Sequence, residues 1–205
     1  KAAQKKWWNE SQGAFVNSTD GRMDDRSLAT ALIYGFGPKD GGRMADILVR
    51  QPENLGLSYP ANTPWLYWAL ISAGRTDAVI KDLKERWVDL PSVVLNGSLQ
   101  EMWDIELGSI HLMSHCAVGP LVALYQGILG LKPLKPGYQE YEIKPDLAGL
   151  SQAEITAHLP AGDLHVKLGR KKLEVLAPHH CAGWLRRDNR LDSLEPGTWQ
   201  SFDLT

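Results

Sequence analysis

The stretch Gly130-Leu131-Lys132-Pro133-Leu134-Lys135-Pro136-Gly137 separates two kinds of sequence. Beyond it, apolar residues recur at every second position. Ala153, Ile155, Ala157 and Leu159 alternate with Glu154, Thr156 and His158; Leu164, Val166 and Leu168 alternate with His165 and Lys167; Leu173 and Val175 follow. Successive side chains of a strand point to opposite faces, so this period predicts half-buried antiparallel strands. Pro160-Ala161-Gly162-Asp163, Gly169-Arg170 and Pro196-Gly197 supply the residues that the turns between them need.

Before the break the period is that of a helix. Thr63 is expected to cap a helix with Pro64 at its first position, Trp65, Leu66, Trp68, Ala69 and Leu70 in its body, and Gly74 at its left-handed end. Val79, Ile80, Leu83 and Trp87 then repeat at helical spacing until Pro91. The short Gly74-Arg75-Thr76 connection makes the two helices antiparallel neighbours. Leu28, Leu32, Ile33 and Phe36 before Gly37-Pro38, with Met44, Ile47 and Leu48 before Pro52, predict a second hairpin. A last helix is expected from Ser114, its N-cap, to about Gly130. Val118, Leu121, Val122, Leu124, Tyr125, Ile128 and Leu129 cover it so widely that burial on most sides is predicted, and Pro120 fits only near its first turn. The fold class expected is therefore α + β in separate domains, with helical hairpins over residues 1–134 and an antiparallel β-sandwich or sheet over residues 135–205.

Composition narrows the function. The 205 residues are 43% hydrophobic and 22% charged, an ordinary globular balance with room for a core that needs no staples. No apolar run approaches the roughly 20 residues that span a bilayer, so no membrane partner is expected. With 22 Lys+Arg against 24 Asp+Glu and no basic stripe, no nucleic acid is expected either. Cys116 and Cys181 are too few for a disulfide framework, are expected to be unbridged, and lack zinc-ligand spacing. Gly35, Gly37, Gly41 and Gly42 scatter around a turn rather than forming a phosphate loop, and no Gly-x-Ser-x-Gly elbow or Cys-x-x-Cys occurs. No cofactor and no metal are expected. Six of the eight Trp fall in the helical part, as core residues or as faces for a sugar.

The densest acidic and aromatic cluster is Asn96-Gly97-Ser98-Leu99-Gln100-Glu101-Met102-Trp103-Asp104, with Glu106 close behind. Glu101 has two readings: the third residue of a capping box begun by Ser98, or a carboxylate at the mouth of a helical toroid beside Trp103. Glycosidic hydrolysis needs two carboxyl groups, one protonated and one ionised, and this cluster alone does not identify both. His111 and His115 stand four apart, the spacing of a metal pair on one helical face. If Ser114 caps the next helix, however, His111 lies outside it, leaving a hydrogen-bonding His in a polar pocket or a packed or exposed one.

Ser98-Leu99-Gln100-Glu101-Met102-Trp103-Asp104, then Ser114-His115-Cys116-Ala117-Val118-Gly119-Pro120, then Tyr125-Gln126-Gly127-Ile128-Leu129-Gly130-Leu131-Lys132-Pro133 resemble the bacterial and fungal α-L-rhamnosidases. In that family a Thr-Leu-Trp-Glu-x-Trp-Asp type motif closes the helical barrel, and a run ending in Pro-Gly-Tyr or Pro-Gly-Phe leads into a C-terminal β-domain. Pro136-Gly137-Tyr138, Ile143 and Pro145 match that exit. The resemblance implies the C-terminal half of an (α/α)6 toroid followed by a β-sandwich, and an inverting glycoside hydrolase that removes terminal rhamnose from glycans or glycosides. It implies Glu101 as general base and Trp103, Asp104 and His115 as substrate-binding residues. It also implies a general acid on the N-terminal remainder of the same enzyme. Gln100 stands where the family has Trp or Tyr, and Ser98 stands for Thr.

The chain opens on Lys1-Ala2-Ala3-Gln4 without an initiator Met, as a processed form or a piece of a longer protein would. Two further readings compete with the enzyme part. One is a catalytically silent carbohydrate-binding or scaffold fragment. The other, weaker, is a lyase acting on acidic sugars, which would want basic residues that the Glu101 region lacks. No compartment is assigned; secretion or a periplasmic site suits an enzyme that degrades glycans.

Overall fold

The computed structural model describes residues 2–37, 42–106, 108–188 and 190–204. The chain divides into two compact units, one up to Ala123 and one from Leu124 on. In the first, helix α1 (Ala2–Trp7) leads into a small ladder of β1 (Trp8–Asn9) and β2 (Ala14–Phe15). Strand β3 (Met23–Asp24) then pairs in parallel with β4 (Leu55–Gly56) across two helices, α2 (Asp25–Ile33) and α3 (Gly42–Arg50). These ladders are too short to show an alternating pattern, and the sequence reading has only helices there. Asp24 caps α2 by accepting from the Ser27 N–H. The predicted second hairpin is present as α2 and α3; Pro38 and Gly41 lie outside the described residues.

The clearest hairpin is α4 (Thr63–Ser72) and α5 (Thr76–Asp82), the latter extended by a wider π-type turn over Leu83–Trp87. Gly74 takes the expected left-handed conformation. Two boundaries move. Asn62, not Thr63, occupies the cap position, because the Thr63 hydroxyl donates to the Pro60 carbonyl. Pro91 does not end the second helix; it starts α6 (Pro91–Asn96), where its missing N–H costs no intrahelical bond. Helix α4 packs against α2, α5 and the last helix of the unit, α7 (Gly119–Val122). Its Leu66, Tyr67, Ala69 and Leu70 join Leu28, Leu48, Val79 and Trp87 in one buried cluster. Gly119 allows the α4–α7 approach, since a Cβ there would meet the Thr63 hydroxyl and the Tyr67 ring.

The last helix departs most from expectation. It begins at Gly119 rather than Ser114, because the Val118 N–H that would close a first turn on the Ser114 carbonyl bonds the Cys116 carbonyl instead, and it runs on as a π-type stretch over Ala123–Ile128. Pro120 does sit in its first turn. Burial on most sides does not hold: Leu121 is 50% exposed and Leu124 38%, while Ala123, Ile128 and Leu129 are buried. Cys116, read as part of a buried helix, lies in an exposed turn, and both cysteines are free thiols.

The second unit holds two open four-stranded sheets. One runs β12 (Trp199–Asp203), β9 (Lys172–Leu176), β8 (Gly162–Gly169), β7 (Gln152–Leu159), all antiparallel. Its buried residues are those the alternation selects: Ala157, Leu159, Leu164, Val166, Leu168, Leu173 and Val175. The other runs β11 (Arg190–Leu194), β10 (Ala182–Arg187), β6 (Glu140–Ile143), β5 (Lys132–Pro133). Its β6–β10 pair is parallel, with Gly183 opposite Tyr141. Among the described residues no helix is long and apolar enough to cross a membrane.

Candidate active site

Helix α6 ends on Gly97, whose left-handed φ of 64° turns the chain into an irregular segment, described over residues 98–106 and 108–118. Two of its stretches run beside each other. The Ser114 N–H donates to the Leu99 carbonyl (2.7 Å), the Glu101 N–H to the His111 carbonyl (3.0 Å), and the Ser98 hydroxyl to the Leu112 carbonyl (2.9 Å). No helix follows Ser98, so the capping-box reading of Glu101 fails. His111 belongs to a short 3-10 turn, Ile110–Leu112, and His115 to a turn beyond it, so the two imidazoles do not share a helical face. No group of three potential metal ligands occurs among the described residues.

Gln100 anchors the loop. Its side chain is fully buried; Oε1 accepts from the Ser92 N–H (3.2 Å), and Nε2 donates to the Met102 and Trp103 carbonyls (2.7 and 2.8 Å). The position where the resembling family has Trp or Tyr therefore faces inward and shapes the turn that carries Glu101. The Ala61 N–H adds a backbone tie to the Glu101 carbonyl (3.3 Å).

Glu101 reaches solvent, with its Oε2 2.6 Å from Nδ1 of His111 and the two side chains 44% and 37% exposed. Asp104 and Glu106 are exposed and line, with Met102, Ser109 and His111, a cleft of about 390 Å³. His115 is exposed, and its side chain has no hydrogen-bond partner among the described residues. A larger cavity of about 830 Å³, lined by Trp7, Phe15, Phe36, Trp65, Arg22 and Asp24 among others, lies elsewhere in the helical unit. It contains none of the predicted site residues, and Asp24 there is committed to capping α2, so the smaller cleft, lined by Asp104 and by His111, the partner of Glu101, is the better candidate.

Trp103 is held on several sides. Its Nε1 donates to the Ser58 carbonyl (2.8 Å), and Ser58 itself donates through N–H and hydroxyl to the buried Asp25 at the start of α2 (2.7 and 2.5 Å). Arg86 lies over the Trp103 ring, 4.2 Å from its centroid, and Trp87 meets it edge-on at 5.5 Å. The π-type turn brings both residues to this position. Arg86 is fixed by two bonds to Asp82, which also accepts from Tyr67; Trp87 in turn donates to the Tyr67 oxygen. Burial, and then the Asp82 charge, push the Tyr67 phenol far above its ordinary range, so it stays a donor. Of the residues in this arrangement, His111 as partner of Glu101 and Gln100 as anchor were not legible in the sequence, since neither pairing follows from a local spacing.

Over 172 residues the chain is 35% identical to a curated α-L-rhamnosidase of Alteromonas sp. (strain LOR), a match covering 74% of this chain and 18% of the relative. The chain is a homologue of the α-L-rhamnosidases. Solved structures share its fold. The α-L-rhamnosidase of Streptomyces avermitilis, complexed with L-rhamnose, superposes with a TM-score of 0.69 at 19% identity, covering 98% of this chain and 23% of that one. The native Aspergillus terreus enzyme gives 0.67 at 23% identity, covering 98% and 25%. No protein-family model matches the chain. This rhamnosidase homologue thus spans between 18% and 25% of the lengths of these relatives.

Proposed function

We propose that this chain forms part of an inverting α-L-rhamnosidase-type glycoside hydrolase, with Glu101 as its general base. The observation that carries the reading is a solvent-reachable Glu101 carboxylate, held on a buried anchor and paired with His111, in a homologue of the rhamnosidases. In this reading Glu101 takes a proton from water as the water oxygen bonds to the anomeric carbon. The bond from that carbon to the leaving-group oxygen breaks, and a protonated carboxyl on the N-terminal remainder of the enzyme supplies that oxygen's proton. Asp104 and His115, both exposed, contact the sugar hydroxyls, and Trp103 walls the site. The substrate is a rhamnose-containing glycan or glycoside. The hairpins α2/α3 and α4/α5 form part of an (α/α)6 toroid, the two sheets form a β-sandwich, and the exchange from helical to β-domain falls near residues 131–138.

The test is Glu101→Gln in the full-length protein, assayed on an aryl rhamnoside. The amide keeps the shape but cannot take the proton, so activity should fall by about 10² to 10⁴ or more at an unchanged melting temperature. Activity that survives the substitution would remove Glu101 from the chemistry. The isolated 205-residue chain should show no turnover; robust hydrolysis by it alone would mean that both carboxyl groups lie here.

A further inference from the structure

We infer that His111 is a positioning residue for the Glu101 base, an inference that rests on the reading of Glu101 above. A carboxylate offers only acceptors, so Nδ1 of His111 is the donor in the 2.6 Å contact to Oε2. The contact engages one carboxylate oxygen and leaves Oε1 to receive the proton from water. Both ends of the pair are tied: the Glu101 N–H donates to the His111 carbonyl (3.0 Å), and the His111 N–H donates to the Ser109 hydroxyl (3.2 Å). With both backbones tied, the imidazole–carboxylate contact fixes the torsion of the one group whose direction general-base catalysis depends on.

Energetics favour this role over a stabilising one. Both side chains are more than a third exposed, and pairs so placed contribute little to stability once solvent screens them. A contact that adds little to folding but sets the aim of a reactive oxygen should be visible in turnover. His115 makes no comparable contact among the described residues, and Asp104 and Glu106, the other titratable groups lining the cleft, cannot donate when ionised.

The experiment uses the full-length protein and an aryl rhamnoside. His111→Ala should lower kcat by up to about 10²-fold, the order expected for a misdirected group, with KM and melting temperature nearly unchanged. His111→Asn, whose side-chain amide can donate toward the same oxygen, should recover most of that loss. In a Glu101→Gln background, His111→Ala should add no further loss, because the two residues act as one unit. If Glu101→Gln abolishes turnover while His111→Ala leaves kcat intact, the His111 inference is overturned and the Glu101 reading stands. Equal losses in His111→Ala and His111→Asn, accompanied by a lower melting temperature, make the residue structural and also overturn it. Survival of activity in Glu101→Gln overturns both.

Discussion

Replacing Gln100 tests whether the site is built from the inside. Three hydrogen bonds converge on this fully buried amide, and each has a different consequence. Helix α6 starts with Pro91, which has no N–H, and Leu90 offers no side-chain cap, so the Ser92 N–H depends on Gln100 Oε1. Losing a cap costs about 1 kcal/mol. The Met102 and Trp103 carbonyls each lose a donor, at about 1 kcal/mol apiece. Methionine nearly matches glutamine in volume, so Gln100→Met removes the bonds without a large void and should cost about 3 kcal/mol. For a chain of this size that lowers the melting temperature by about 6 to 12 °C. Gln100→Glu keeps the shape but sets an oxygen against two carbonyls at 2.7 and 2.8 Å. Only its protonated form can donate, so its deficit should exceed that of Gln100→Met and grow as pH rises past the ordinary carboxylate range. Urea unfolding followed by tryptophan fluorescence at several pH values measures both. A Gln100→Met midpoint within about 0.5 kcal/mol of wild type, or a pH-independent Gln100→Glu, would refute the anchoring argument.

Three further outcomes concern the packing within each unit. Tyr141 is wholly buried with a hydroxyl that has no partner among the described residues, and burial pushes its phenol well above the ordinary range. Tyr141→Phe should therefore raise stability by about 1 kcal/mol, and a lower urea midpoint would count against this. A hydrogen bond from the Arg186 guanidinium holds the Glu142 carboxyl below its usual range, against the opposing effect of burial and with help from the Arg186, Lys132 and Lys144 charges. That contribution is complete above the unfolded value of about 4.3 and is lost as pH falls through the lower folded value. Glu142→Gln should then lower the midpoint at pH 7 and flatten its decline in acid; an unchanged acid limb sinks the argument. Gly119→Ala should cost about 1–3 kcal/mol by forcing α7 off the Thr63 hydroxyl and the Tyr67 ring, and a neutral substitution would show that the α4–α7 approach is looser than described.

What the sequence determined by itself is whatever depends on nearest neighbours along the chain. Strands β7, β8 and β9 were legible because alternation encodes which face is buried, and their inward residues are the ones the period selects. The hairpin α4/α5 was legible for the same reason at period 3.6, with Gly74 marking its turn. The cluster around Glu101 stood out by composition, which is also local. Only the tertiary structure decided the rest. Ser114 carries every local mark of an N-cap, yet the helix waits until Gly119, with the Ser114 backbone held beside Leu99, fifteen residues back, and the Val118 N–H on the Cys116 carbonyl. Strand β6 lies parallel to β10 some forty residues further on, where no turn signal relates them. Four-residue spacing directed attention from His111 to His115, but ladder bonds across the irregular segment turned His111 to Glu101 instead. A buried backbone donor or acceptor must find a partner, and where no repeating pattern supplies one locally, the partner comes from wherever the fold brings the chain.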